Sequence, residues 1–178
     1  MERIRLLIAE DHEIIRVGIG VFLESAGDIT VVGEAGTGRE ALDLAHRLSP
    51  DVILLNYDLP DLNGIQVAAE LKRRGSPVRI LFMSAQETRN YVFAMLKTGA
   101  SGFISKQDLP DDFIQAIRAV AAGQGDWLSQ RMQEKMAKWR RSPPNKVFSL
   151  PFFGDLPGYQ NRIKVFTKKS KRDETHGF

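Results

Sequence analysis

Along the first 122 residues, short apolar runs alternate with stretches of helical period. The runs Ile4–Ala9, Thr30–Ala35, Val52–Asn56, Ile80–Ser84 and Gly102–Ser105 show little polar alternation, the pattern of strands covered on both faces. Between them, Ile14–Glu24, Gly38–Leu48, Ile65–Arg73, Glu87–Lys97 and Asp108–Ala121 carry apolar residues three and four apart, which predicts helices. Five strand–helix pairs in succession predict an α/β fold around a parallel sheet. Pro50, Pro60, Pro77 and Pro110 fall where elements should begin or end, because proline breaks both ladders.

Ser129–Arg141 predicts one more helix, with Met132, Met136 and Trp139 at helical spacing among charged residues. Beyond it neither period persists, and Pro143, Pro144, Pro151 and Pro157 interrupt what remains. The expected organisation is a domain over 1–122, a helical linker over 123–141 and an irregular tail over 142–178.

Charge divides the chain in the same place. The net charge is +3, but residues 142–178 hold seven Lys/Arg against three Asp/Glu, leaving 18 against 19 before them. Lys164, Lys168, Lys169, Lys171 and Arg172 form a basic run that could engage nucleic-acid phosphates or stay solvated. The chain has no cysteine, which excludes a disulfide scaffold and thiolate metal sites. The N-terminal MERIRLLIAEDHE reads as a buried strand and not a signal peptide, and no apolar stretch would span a bilayer, so a cytoplasmic protein is expected.

Candidate chemistry lies at the strand ends, since an open parallel sheet binds ligands outside its carboxyl edge. The first strand runs into Glu10 and Asp11, the third ends in Asn56, the fourth in Ser84, and the fifth runs into Lys106. Adjacent carboxylates repel unless a cation lies between them, and their hard oxygens suit Mg²⁺; alternatively Asp11 caps the first helix. A lysine and a hydroxyl at the same edge suit a phosphoryl group, although each alone is a weak signal.

The segments LLIAEDHEIIRVG, PDVILLNYDLPDLNG, ILFMSA and KTGASGFISK, in this order within residues 4–122, resemble response-regulator receiver domains. The resemblance implies a flavodoxin-like doubly wound sheet of order 2-1-3-4-5. It implies that Glu10 and Asp11 hold Mg²⁺, with the Asp58 backbone carbonyl as a further ligand. Ser84 would contact the phosphoryl group and move on activation, Lys106 would pair with its oxygens, and Ala85 would leave it room. Phe103 would be the aromatic switch on the last strand; its plain reading is a core aromatic.

The pattern breaks at Asn56, which stands where the family carries the phosphoacceptor aspartate. An amide is neutral and its nitrogen lone pair is delocalised, so it cannot form the acyl phosphate. Losing one of three clustered charges also weakens the hold on Mg²⁺. Asp58 and Asp61 lie off the strand end and are expected to bond loop backbone or stay hydrated. A natural and an introduced Asp→Asn change fit the sequence equally well.

The Asp11–His12 pair, the GEAGTGREAL segment and the helix after residue 128 resemble receivers of LuxR-type transcription factors. That resemblance implies a sensor histidine kinase as partner and a partner surface on the fourth helix, fifth strand and fifth helix, where homodimerisation is plausible and where Met95, Lys97 and Phe103 lie. No DNA-binding domain is recognisable in residues 142–178, as in a truncated or frameshifted effector. The alternative is a phosphorylation-independent nucleic-acid binder acting through the basic tail, with affinity falling steeply in salt. A flavin-binding protein of similar fold is disfavoured, because the acidic EDHE loop opposes phosphate.

Overall fold

The computed structural model describes residues 3–141; the tail cations Lys164, Lys168, Lys169, Lys171 and Arg172 lie outside the described residues. The elements run β1 (Ile4–Ala9), α1 (Glu13–Glu24), β2 (Ile29–Ala35), α2 (Gly38–Leu48), β3 (Val52–Asn56) and α3 (Gly64–Arg73). They continue as β4 (Arg79–Ser84), α4 (Arg89–Lys97), β5 (Gly102–Ser105), α5 (Pro110–Ala121), β6 (Trp127–Leu128) and α6 (Gln130–Arg141). All strands pair in parallel in the order β2-β1-β3-β4-β5-β6.

Side chains of period two divide the core between the two faces of the sheet. Leu7, Ala9, Ile53, Leu55, Phe82 and Phe103 share one cluster with residues of α2, α3, α4 and α6. Leu6, Ile8, Val52, Leu54, Leu81, Met83 and Ile104 share the other with residues of α1 and α5. Because both faces are buried, both sets must be apolar, which is why the runs lacked alternation. The flavodoxin-like order 2-1-3-4-5 is present.

Several expectations need correction. A sixth strand extends the sheet: Trp127 pairs with Gly102 and Leu128 with Phe103, a two-residue element too short to carry a period. Glu87 and Asp108, expected in the first turns of helices, lie before them; α4 begins at Arg89 and α5 at Pro110. Their carboxylates are engaged elsewhere, Asp108 accepting from the Ser105 N–H at 2.8 Å and Glu87 from the Ser105 hydroxyl. The residue preceding α1 is His12, without a side-chain cap, so Asp11 is not the cap of that helix.

The residues named for the expected partner surface differ in exposure. Met95 and Phe103 are fully buried and share a cluster with Met132 and Met136 of α6. Trp139 of α6 meets Phe93 of α4 with ring centroids 6.4 Å apart. The inward side chains of α4 and β5 thus pack with the chain's own α6, while Tyr91 and Lys97 of α4 stay exposed, and packing continues past residue 122.

Candidate functional site

The parallel register brings the predicted residues to one edge. Asn56 of β3 aligns with Met83 of β4, and Ser84 of β4 aligns with Ser105 of β5, so Ser84 and Lys106 follow from adjacent strands. Glu10 and Asp11 leave β1 beside β3. The chain then turns sharply after β3: the Gly64 N–H donates to the Tyr57 carbonyl at 2.9 Å. A Cβ on Gly64 would lie 2.5 Å from the Asn56 carbonyl oxygen, so glycine is what lets α3 start against the end of β3.

Asn56 is buried at the centre of this edge. Its Nδ2 donates to Asp11 Oδ1 at 2.9 Å and to the Asp58 carbonyl at 3.0 Å. Both neighbours are pure acceptors, so only the amide nitrogen can face them. Asn56 Oδ1 is buried with no hydrogen-bond partner among the described residues. The side chain therefore spends its two donors on two atoms assigned by resemblance to the metal.

Glu10 is fully buried and divides its oxygens. Oε1 accepts from the His12 N–H at 3.2 Å and lies 3.1 Å from His12 Nδ1. Oε2 lies 2.7 Å from Lys106 Nζ as a close ion pair, without the alignment of a directed hydrogen bond. His12 Nδ1 is also 3.1 Å from Asp11 Oδ1, so one imidazole bridges both carboxylates. Its hydrogen bond to Glu10 and then the charge of Asp11 raise its pKa above the ordinary value, because both favour imidazolium. His12 was missed as a member of this cluster, since a histidine after an acidic pair has no distinctive spacing. Glu10, Asp11 and His12 offer ligand atoms within 4.8 Å of one another.

Ser84 is fully buried, and its Oγ accepts from the Gln86 N–H at 2.9 Å, a turn that fixes the loop after β4. Phe103 lies in the core. Asp61 accepts from the backbone N–H groups of Gly38 at 2.9 Å and Leu62 at 2.6 Å, tying the loop to the start of α2. Its φ of 67° is in the left-handed region that aspartate tolerates. The side chain of Asp58 is exposed.

As arranged, these groups do not form a ready Mg²⁺ site. Hard oxygens are present in Glu10, Asp11 and the Asp58 carbonyl, but two of them face N–H donors of Asn56, which repel a cation. Lys106 sets a positive charge against Glu10, the remaining carboxylate.

A family model described as the response regulator receiver domain matches residues 6–118. The nitrate/nitrite response regulator protein NarL of Escherichia coli strain K12 is 36% identical over 119 residues, 67% of this chain and 55% of NarL. The transcriptional regulatory protein LiaR of Bacillus subtilis is 32% identical over 144 residues, 81% of this chain and 68% of LiaR. The solved receiver domain of NarL from Mycobacterium tuberculosis superposes with a TM-score of 0.67 at 36% identity, covering 69% of this chain and 99% of that domain. A LuxR-family two-component response regulator from Aurantimonas sp. superposes with a TM-score of 0.75 at 27% identity, covering 79% and 100%. The chain spans little more than half the length of E. coli NarL.

Proposed function

Because the chain belongs to the response regulator receiver family, on the LuxR-type branch of two-component regulators, we propose that it is a receiver whose phosphoacceptor step has been removed by Asn56. The observation that carries this reading is the position of Asn56. It ends β3 at the pocket edge, with Asp11, Asp58 and the pair Glu10–Lys106 around it. The carboxylate nucleophile of the family is replaced there by an amide whose oxygen is neutral, whose nitrogen lone pair is delocalised and whose N–H donors are already spent.

The surrounding groups keep their chemistry. Lys106 is held on Glu10 until an anion competes for it, and Ser84 Oγ, which accepts from the Gln86 N–H, has its own O–H to donate. Mg²⁺, when bound to a receiver, neutralises charge at the acidic pair. Here the neutral Asn56 and its inward donors weaken that hold, and His12 and Lys106 already answer the charge of Glu10 and Asp11. Sensor histidine kinases are the partners of this family; docking to one can persist without transfer of the phosphoryl group. Self-association on the α4–β5–α5 side would use its exposed residues, Lys97 among them, because Met95 and Phe103 are buried.

The test is intact-mass measurement after incubating the chain and its Asn56→Asp variant with a small phosphodonor and Mg²⁺. A phosphoryl adduct is expected only on the variant. An adduct on the unaltered chain means that another residue has become the acceptor, and the proposal fails.

A further inference from the structure

A second cluster of charges lies beyond the pocket, where α6 meets the two loops that follow β4 and β5. Glu87, three residues after Ser84, has a side chain only 6% exposed. Its Oε1 accepts from the Ser105 hydroxyl and from Arg131 Nη2. Its Oε2 accepts from Arg131 Nη1 at 3.0 Å and from Lys135 Nζ at 2.6 Å. Arg131 Nε donates to Asp108 Oδ1 at 2.8 Å, and the Asp108 side chain is 1% exposed. The other oxygen of Asp108 accepts from the Ser105 N–H.

Each loop leaving the pocket thus contributes one buried carboxylate, and one guanidinium on α6 joins them. Arg131 and Lys135 are one helical turn apart, on a helix whose Met132 and Met136 enter the core. A buried carboxylate stripped of its cations is strongly unfavourable. Glu87 can therefore hold its position only while α6 is docked, and α6 loses its fork-shaped partner when the loop moves.

We propose that Glu87 and Arg131 form a latch that makes the docking of α6 conditional on the conformation of the loop between β4 and α4. Displacement of the loop that follows Ser84 is then transmitted to α6, and by reciprocity loosening α6 frees the loop. The latch extends the receiver reading by naming where a change at the pocket edge is passed on. It stands on residues 84–87, 105–108, 131 and 135 and needs no phosphoryl chemistry.

Hydrogen–deuterium exchange on the full chain tests it without phosphodonor or Mg²⁺. Arg131→Ala is expected to raise exchange by ~10-fold both in α6 and in residues 85–88, while α1 is unchanged. Glu87→Gln should raise the same two segments, and Lys138→Ala, on the exposed side of α6, neither. Should Arg131→Ala not fold, Arg131→Lys keeps the charge, loses the fork and should show a smaller rise in both segments. A rise confined to α6, a rise shared equally by α1, or no rise in either segment overturns the proposal.

Discussion

Asn56 changes the pocket twice over. As a reagent it lacks the negative oxygen that attacks phosphorus, and as a neighbour it supplies two donors that draw Asp11 and the Asp58 carbonyl together. The first consequence was legible from the sequence, because it follows from the functional group alone. The second was not, since which end of an amide faces its neighbours depends in part on an acceptor, Asp11, 45 residues away in the chain. The same dependence hides the role of Gly64, which sequence gives only as a glycine at a helix start. Its missing side chain leaves space for the Asn56 carbonyl, so Gly64→Ala should destabilise the fold by about 2 kcal/mol through overpacking. Urea denaturation of the variant checks this, and an unchanged midpoint would mean the turn relaxes freely.

At the scale of elements, periodicity located all five expected strands, and it misjudged the starts of α4 and α5. Glu87 and Asp108 continue the helical pattern on paper, but each gains more from the Ser105–Arg131 cluster than from a helix turn. Nothing local signals this, because Arg131 lies 44 residues from Glu87. The cluster has a pH signature. The Arg131 guanidinium is the main group lowering the Glu87 pKa, to about 2 from an ordinary 4.5, against the opposing effect of burial and with Lys135 and the Ser105 hydroxyl assisting. A depressed folded-state pKa stabilises the fold above about pH 4.5, and that contribution is lost as pH falls toward 2. Its size is at most about 3 kcal/mol, reduced because Arg131 and Lys135 are partly exposed and screened. Chemical denaturation between pH 6 and about 2.5 should therefore show a shallower loss of stability in Glu87→Gln than in the unaltered chain. Parallel slopes would remove Glu87 from the account.

For the molecule as a whole, the order of the first five strands followed from the family resemblance, and the parallel sheet from the apolar runs. β6 and the docking of α6 were beyond reach. A two-residue strand has no period, and the methionines of α6 are equally consistent with an isolated amphipathic helix. The structure uses them to finish the core on the α4 side, so the described residues form one compact unit with a pocket at one edge and α6 packed on the core. Among the described residues no helix is long and apolar enough to cross a membrane. The central claim is that this pocket is held together by the Asn56 amide, with its N–H donors directed at groups that would otherwise face a cation. Thermal unfolding of the full chain and of Asn56→Asp, each with and without millimolar Mg²⁺, tests it most directly. Ligand binding to the folded state alone raises the unfolding temperature, and like charges brought together lower it. The chain is expected to be nearly insensitive to Mg²⁺, while the variant melts lower without the ion and regains stability with it. An unaltered chain stabilised by Mg²⁺ as strongly as the variant would contradict it.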